Sequence, residues 1–283
     1  MSIKFGAKIG EGKGSEVFEW ENEHKIVKLA KPNTNRYSIN LEYENSRLAW
    51  QHGLPVPRPF AVVDIDGRPG IVFERVYGEP LMKRFMNQIV NRSFSGEDAL
   101  STGENDFVRI TARILYDIHQ RSNVPLPSQR HIIKRAIESA AYLTADEKSA
   151  VLAILDALPE KKQLCHGDPN PGNILIRDGK GIVIDWVCAA TGNPEADLAE
   201  YIIMIRYAVL LSYFPKLPGE AVAYFDTIRE SIVTIFMDEY SKMSGTTYDD
   251  IDAWIAPIAA RKLTADVCEA ERNLLLHEIR RRL

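Results

Sequence analysis

The sequence predicts an α+β protein with two lobes, a small antiparallel β-rich lobe with one helix and a larger, mainly helical lobe. Three observations support this fold class. The chain has 283 residues, which is enough for two domains of ordinary size. Up to about residue 78, short runs of β-branched and aromatic residues alternate with glycine-rich or polar turns. Beyond Gly78 the apolar residues recur at helical spacing, so we expect an N-lobe over 1–78 and a C-lobe over 79–283.

The N-lobe is predicted to contain five strands and one helix. The strands are expected over residues 3–9, 16–20, 25–30, 59–65 and 70–76. The helix is expected from about Ser38 to His52, because Gly53 and two nearby prolines stop it. Asp66 and Gly67 lie between the last two strands, and this pair is a strong signal for a β-hairpin turn.

The C-lobe is predicted to be helical apart from one strand-like insertion. The polar, aperiodic stretch 92–105 predicts a loop, and 107–119 has apolar residues at helical spacing. Thr144 and Glu147 have the spacing of a capping box that opens a helix over 145–158. Further helices are expected over 195–213, 218–243 and 250–282, and short strands over 173–176 and 181–184.

Composition excludes several classes of protein. Hydrophobic residues make up 45% and charged residues 26% of the chain, which excludes whole-chain disorder and fibrous repeats. A net charge of −4 gives no reason to expect a nucleic-acid or membrane partner. The three cysteines are widely spaced, and neither a signal peptide nor an apolar run of ~18 residues is present. We therefore expect a cytoplasmic protein that is a monomer or a weak homodimer.

The strongest chemical signal lies in residues 165–185. Asp168 and Asn173 are five residues apart in a loop rich in proline and glycine, and Asp185 follows an apolar run twelve residues later. Magnesium-dependent phosphoryl transfer needs one carboxylate that positions a hydroxyl and hard oxygen ligands that hold Mg²⁺. Each residue alone would fit a loop cap, but the joint spacing favours phosphoryl transfer. For His166 a packing role is favoured over catalysis.

A glycine-rich segment near the N-terminus lies between two predicted strands. A dinucleotide fingerprint should open a helix here, and a Walker A loop needs Gly-Lys-Ser/Thr, whereas Lys13 is followed by Gly14. The remaining interpretation is a β-hairpin loop, containing Gly10, Gly12 and Ser15, whose backbone amides approach phosphate groups.

Lys28 places a charge inside an apolar strand. Such a lysine usually faces solvent, but the glycine-rich hairpin before it and the carboxylate-bearing helix after it favour phosphate binding. Glu44 is the predicted partner and Glu42 the rival, because residues two apart point to different sides of a helix. Lys25 and Lys31 are assigned to the surface.

With these residues identified, the sequence resembles the aminoglycoside phosphotransferase family, within the wider protein-kinase-like superfamily. The resemblance covers nearly the whole chain. It rests on 10–17, Lys28, Glu44 with 54–57, 71–78, His166 to Asp168 with Asn173, 184–186, and Pro194 with 197–199.

This resemblance implies a bilobal kinase-like fold that binds ATP, or GTP, with Mg²⁺. It implies that Asp168 is the catalytic base, that Asn173 and Asp185 are the metal ligands, and that Lys28 paired with Glu44 binds the phosphates. The other implied nucleotide-binding residues are Gly10, Gly12 and Ser15 in the loop and Phe73, Glu74, Arg75 and Val76 at the hinge. Asp197 resembles the family's structural aspartate, which braces the catalytic loop.

The sequence departs from the protein-kinase pattern, and the departures around Asp185 disfavour protein kinase activity. Ser15 replaces the third glycine of the kinase loop, and the Asp185 motif reads Asp-Trp-Val instead of Asp-Phe-Gly. Only eleven residues separate Asp185 from Asp197, which is too few for a protein-kinase activation loop. We therefore expect a small-molecule hydroxyl as the phosphate acceptor.

The acceptor is predicted only by charge. Residues 187–260 contain four basic and eleven acidic residues, a net charge of −7, which would attract a cationic aminoglycoside or related antibiotic. Simply acidic helix surfaces would give the same count. The alternatives are a kinase for choline, ethanolamine, homoserine, a ketosamine or a sugar-like compound, a macrolide kinase, and a silent nucleotide-binding regulator.

Overall fold

The computed structural model describes residues 6–21, 24–95 and 107–283. These residues form two compact units. The first unit takes the described part of Met1–Leu81 together with Gly172–Cys188, and the second takes that of Met82–Pro171 together with Ala189–Leu283. The segment 172–188, expected in the helical lobe, therefore belongs to the first unit, and the chain enters that unit twice.

The first unit is built on a five-stranded antiparallel sheet, as the sequence predicts. Its strands are β1 (Lys8–Glu11), β2 (Ser15–Trp20), β3 (Lys25–Ala30), β4 (Pro59–Ile65) and β5 (Arg68–Glu74). Their order in the sheet is β1-β2-β3-β5-β4. Asp66 and Gly67 both have positive φ angles, 51° and 78°, which are those of the predicted hairpin turn between β4 and β5.

Alternation along β3 decides which side chains face the helix α1 (Arg36–Gln51). Val27 and Leu29 are fully buried in a core cluster on one face of the sheet. Side chains alternate between faces, so Lys28 shares the opposite face with Ala30. Ala30 packs there against Ile39 of α1. This pattern points a lysine from a buried strand toward the helix.

A small sheet belongs to the first unit. It consists of β6 (Glu79–Pro80), β8 (Ile174–Arg177) and β9 (Lys180–Val183), in that order. Asp178 and Gly179 form the turn between β8 and β9 with φ angles of 51° and 74°. Glu79 pairs with Ile176, and this pairing holds the returning segment in the unit. Short 3₁₀ turns precede β8 at Pro171–Asn173 and follow β9 at Trp186–Cys188.

The second unit is mainly helical. Its helices are α2 (Leu81–Ser95), α3 (Phe107–His119), α4 (Gln129–Ser139), α5 (Ala145–Ala157), α6 (Pro194–Tyr207), α7 (Leu210–Tyr213), α8 (Gly219–Ser244), α9 (Tyr248–Asp252), α10 (Ile255–Lys262) and α11 (Glu269–Arg280). A pair of short antiparallel strands, β7 (Gln163–Cys165) and β10 (Ala190–Gly192), lies beside them. Tyr201 of α6 stacks on Phe236 of α8 with ring centroids 4.0 Å apart, in the core of the unit. No helix in the described parts of the chain is long and apolar enough to span a membrane.

The predicted helix starts are more accurate than the predicted helix lengths. The capping box before α5 is present, with the Glu147 backbone N–H donating to Thr144 Oγ1 at 3.2 Å and the Glu147 side chain accepting from the Thr144 backbone. The expected single helix over 250–282 is wrong, because it is broken into α9, α10 and α11. Between α10 and α11 the chain contains Thr264 and Asp266, which are poor helix formers, and the Thr264 hydroxyl bonds the carbonyl of Arg261.

Two other predictions need correction. The loop expected over 92–105 is wrong for 92–95, which continue α2, and its remainder lies outside the described residues. The helix expected over 195–213 is interrupted after Tyr207, and α7 begins at Leu210. Residues 3–5 of the first predicted strand also lie outside the described residues, so the structure tests only the later part of that strand.

Candidate active site

Lys28 is the centre of a charged cluster in the first unit. Its Nζ lies 2.6 Å from Glu42 Oε1 on α1 and 3.1 Å from Asp185 Oδ1, which follows β9. Burial alone would lower the pKa of Lys28, but the negative charges of Glu42 and Asp185 outweigh burial and raise it. Lys28 is therefore held in its charged form, which is the form that binds phosphate.

The predicted partner of Lys28 is corrected from Glu44 to Glu42. The buried face of α1 carries Ile39, Glu42 and Asn45, which are spaced by three residues. Glu44 lies on another face of the helix and bonds the guanidinium of Arg47, with a shortest distance of 2.7 Å. Glu42, and not Glu44, is therefore the side chain of α1 that contacts Lys28.

Asp185 is held in an unusual backbone conformation. Its φ angle is +65°, in the left-handed region, although it lies outside the hairpin turns that explain Asp66 and Asp178. Asn45 Nδ2 donates a buried hydrogen bond of 2.9 Å to the carbonyl of the next residue, Trp186. One face of α1 therefore supplies both the partner of Lys28 and the anchor for the Asp185 segment.

Asn173 and Asp185 lie at the same end of the β8–β9 ladder. Ile174 pairs with Val183 in this ladder, and the N–H of Ile184 donates to the carbonyl of Asn173 at 2.9 Å. The backbones of Asn173 and Asp185 are thus close in space although twelve residues separate them in sequence. Both side chains offer hard oxygen atoms, and such a donor set suits Mg²⁺.

The glycine-rich loop joins β1 to β2 by a tight turn, in which the N–H of Gly12 donates to the carbonyl of Ser15 at 2.9 Å. Gly12 is exposed, whereas Gly10 is half-buried and Ser15 is buried. Lys31, assigned to the surface from the sequence, donates from Nζ to the Gly12 carbonyl at 2.8 Å and also bonds Glu11. The structure thus adds a side chain that holds the backbone of this loop.

The predicted hinge residues follow β5. Phe73 is buried. The N–H groups of Glu74 and Arg75 donate at 2.9 Å to the carbonyls of Arg58 and His24, respectively. Both donors are therefore already bonded within the protein. The guanidinium of Arg75 bonds Glu19 at 2.8 Å.

Asp168 belongs to the second unit, in the loop after β7. The two backbone N–H groups that precede it, those of His166 and Gly167, donate to the two carboxylate oxygens of Asp197 at 2.6 and 3.0 Å. Asp197 is buried near the start of α6. This geometry confirms the expected bracing role of Asp197. His166 is buried as well, as its predicted packing role requires.

A buried hydrogen-bond chain supports this brace. His119 Nε2 lies 3.4 Å from Asp197 Oδ2, and His119 Nδ1 lies 2.8 Å from the hydroxyl of Tyr240. Burial would raise the pKa of Asp197, but the hydrogen bond and charge of His119, with the N–H of His166, lower it. Asp197 is therefore an ionised group inside the unit, stabilised by donors on several sides.

Sequence reasoning missed Asn45, Lys31 and Arg261, whose side chains hold the backbone around the predicted site. A backbone carbonyl partner leaves no signature in the sequence, which hides Lys31 and Arg261. For Asn45 a signal was present, because it lies three residues after Glu42 and six after the apolar Ile39, on one helix face.

The fold is similar to those of several solved small-molecule kinases. The apo form of a thermostable mutant of aminoglycoside phosphotransferase APH(4)-Ia has a TM-score of 0.61 and 14% identity, over 98% of this chain and 94% of that chain. A ternary complex of such a mutant with ADP and hygromycin B has a TM-score of 0.51 and 15% identity, over 90% and 94%. The microcompartment-associated aminopropanol kinase has a TM-score of 0.56 and 14% identity, over 97% and 89%.

At these identities the structural likeness shows the kinase-like fold alone. A search of curated protein sequences found no match. The family assignment comes from the sequence, because residues 8–227 match the model of the phosphotransferase enzyme family, APH. This match covers most of the chain and includes every predicted site residue. The chain therefore belongs to the APH family and is a phosphotransferase that acts on a hydroxyl group of a small molecule.

Proposed function

We propose that this enzyme transfers the γ-phosphate of ATP, bound with Mg²⁺, to a hydroxyl group of a small amine-bearing molecule. The observation that carries the proposal is the position of Lys28 Nζ, within 3.1 Å of both Glu42 and Asp185. A buried lysine that lies between a structural carboxylate and a candidate metal ligand has the chemistry needed to bind the phosphates of a nucleotide.

In this proposal Lys28 binds phosphate oxygens of the nucleotide while Glu42 keeps its ammonium group in place. Asn173 and Asp185 would hold the metal ion through their side-chain oxygens. Mg²⁺, when bound, neutralises charge on the phosphates. The N–H groups of the loop over Gly10, Gly12 and Ser15 would contact the same phosphates. Phe73 to Val76 would line the adenine, and backbone recognition there leaves GTP as the alternative nucleotide.

Asp168 is proposed to act on the acceptor. The residue is half-buried, and the backbone before it is fixed by Asp197. It would orient the acceptor hydroxyl and take its proton as the oxygen attacks the γ-phosphorus and the bond to ADP breaks. The transferred proton ends on Asp168, the phosphoryl group ends on the alcohol, and ADP leaves.

The structure weakens the argument from charge for a polycationic substrate. At least eight of the eleven acidic residues in 187–260 already have partners, namely Glu195, Asp197, Glu200, Asp226, Glu230, Glu239, Asp250 and Asp252. These carboxylates brace helices and loops, so most of the net charge of −7 has a structural explanation.

Support for an amine-bearing alcohol comes from the structural neighbours. One of them holds hygromycin B, an aminoglycoside, and another is named as an aminopropanol kinase. Both substrates carry amine and hydroxyl groups, although they differ greatly in size. An aminoglycoside or related antibiotic, and hence a resistance role, stays the leading proposal. The alternatives are choline, ethanolamine, homoserine, a ketosamine or a sugar-like compound in metabolism, and a macrolide.

The test is an ADP-release assay with ATP and Mg²⁺ across aminoglycosides, macrolides and small amino alcohols, with an Asp168→Asn variant beside the wild type. We expect turnover with an amine-bearing alcohol, and a loss of at least about a hundredfold in kcat in the variant with nucleotide affinity within about twofold. Turnover with small amino alcohols alone would assign a metabolic role. An unchanged kcat in the variant would reject Asp168 as the base.

A further inference from the structure

We propose that Arg261, at the end of α10, is a positioning residue that fixes the backbone at Asp168. Its Nη2 donates to the carbonyl of Gly167 at 2.6 Å. That carbonyl belongs to the peptide group that joins Gly167 to Asp168, so the hydrogen bond acts directly on the backbone that carries the carboxylate. The inference rests on the proposed function, in which Asp168 receives the proton of the acceptor hydroxyl.

Gly167 is held on both of its sides. Its N–H donates to Asp197 Oδ1 at 3.0 Å, and its carbonyl accepts from Arg261. Its φ angle is +76°, which glycine adopts without strain and other residues rarely do. Glycine is also the residue with the most backbone freedom. Two charged side chains therefore restrict the residue that would otherwise let the Asp168 loop move.

The two groups that hold Gly167 are tied to each other. Asp197 and Glu200 both lie on α6, three residues apart. Glu200 is 3.6 Å from Arg261 Nη1 and accepts from Lys262 Nζ at 3.0 Å. Ala256, Ile258 and Ala260 anchor α10 in the core of the second unit, so Arg261 extends from a rigid element. A network of α6 and α10 thus sets the position of Gly167.

Lys262, the neighbour of Arg261 on α10, adds a positive charge near Asp168. Burial opposes the charge of Lys262, but Glu200, and to a smaller extent Glu271 and Asp168, raise its pKa. Lys262 and Asp168 are therefore close enough for their charges to interact. The end of α10 therefore contributes both a backbone contact, through Arg261, and a positive charge, through Lys262, beside the Asp168 loop.

A second arginine of the same unit offers a matched control. Arg229 donates to the carbonyl of Ala208 at 2.8 Å and to that of Ile205, at the C-terminal end of α6. It makes the same kind of bond as Arg261, from a guanidinium to main-chain carbonyls, but more than two helical turns beyond Asp197. Replacing either arginine removes a structural bond, and only replacement of Arg261 should disturb Asp168.

The experiment compares Arg261→Met, Arg261→Lys, Arg229→Met and Asp168→Asn. ADP release from MgATP is measured with water as the acceptor and again with the best alcohol of the panel, and nucleotide Kd is measured separately. We expect Arg261→Met to lower kcat by about thirtyfold or more with Kd within about twofold, because a misplaced group costs up to about a hundredfold. Arg261→Lys should lower kcat only severalfold, and Arg229→Met should lower Tm while kcat stays within about twofold.

Two results would overturn the inference while leaving the proposed function intact. One is wild-type kcat in Arg261→Met beside an inactive Asp168→Asn. The other is an equal loss of kcat in Arg229→Met, which would mean that the loss reflects general destabilisation. If Arg261→Met does not fold, Arg261→Lys alone tests the inference. Its shorter donor should lower kcat severalfold without changing the nucleotide Kd, and an unchanged kcat would overturn the inference. Full activity in Asp168→Asn would instead reject the proposed function.

Discussion

At the residue scale, the nucleotide half of the site depends on the charge balance around Lys28. One ammonium group faces two carboxylates, of which Glu42 is nearly inaccessible and Asp185 is more than one-third exposed. In the proposed function, the more exposed carboxylate would turn to a metal ion, and the buried one would remain with the lysine. The proposal thus gives the two carboxylates different roles according to their access to solvent.

This difference predicts unequal effects of two neighbouring substitutions on α1. Glu42→Gln removes the buried charge from Lys28 and leaves Asp185 as its only charged partner among the groups described around it. We expect kcat/KM for the nucleotide to fall by roughly 10- to 100-fold. Glu44→Gln changes only an exposed ion pair with Arg47. We therefore expect its kcat/KM for the nucleotide to stay within about twofold of the wild-type value.

Steady-state kinetics at fixed acceptor and varied MgATP would measure both variants. Equal effects of Glu42→Gln and Glu44→Gln would contradict the assignment of Glu42. The sequence contained part of this answer. The spacing of Asp168, Asn173 and Asp185 marked the site by residue type alone, whereas the choice between two glutamates depends on which face of α1 is buried.

At the element scale, α1 connects the sheet to the segment that returns from the second half of the sequence. Its buried polar residues bond both partners: Glu42 bonds Lys28 of β3, and Asn45 bonds the carbonyl of Trp186 in the returning segment. Buried polar groups must be satisfied, so this face of α1 fits only one arrangement of the Asp185 segment. The helix therefore fixes the position of the segment that carries the candidate metal ligand Asp185.

Asn45→Ala tests this role of α1. The substitution removes the buried hydrogen bond to the carbonyl of Trp186, and we expect the free energy of unfolding to fall by about 1–3 kcal/mol. The matched control is Asn40→Ala on the exposed face of the same helix, where alanine is the better helix former and stability should be unchanged or slightly higher. Urea titrations of both variants measure the free energy of unfolding. Equal stabilities of the two variants would contradict the proposed role of Asn45.

The success of prediction also differs between elements. Strand limits over 25–30 and 59–65 and the start of α5 were predicted correctly, because β-branched alternation and a capping box are local signals. The single helix expected over 250–282 failed, because apolar residues continue through three short helices and only tertiary packing sets their breaks. Helices α2 and α4 were not predicted, although Leu81, Phe85 and Ile89 in α2 and Ile133 and Ile137 in α4 are buried at helical spacing.

At the scale of the whole molecule, the first unit is made from two separate parts of the sequence. Pairing of Glu79 with Ile176, and the Asn45 bond to Trp186, bring 172–188 into it. The chemical motif is divided as a result, since Asp168 belongs to the second unit and Asn173 to the first. Such long-range pairing could not be read from the sequence, which placed one boundary after residue 78.

Stability of the whole chain should depend on pH through the buried Asp197. In the folded state the pKa of Asp197 lies below its ordinary value of 3.8, because His119 and the N–H of His166 outweigh burial. In the unfolded chain the group has its ordinary value, so the unfolded state binds more protons as pH falls. Asp197 thus contributes stability that is complete above about pH 5 and is lost as pH falls through the folded pKa.

Asp197→Asn isolates this contribution. The variant cannot ionise at this position, so we expect it to be less stable at pH 7 and its unfolding free energy to fall less steeply than that of the wild type below about pH 4. The remaining acidic residues titrate in both proteins, so their effects cancel in the difference. Urea unfolding of the two proteins between pH 7 and pH 3 measures the difference between their unfolding free energies. A difference in stability that stays constant over that range would mean that Asp197 braces the Asp168 loop through its geometry, with no contribution from its charge.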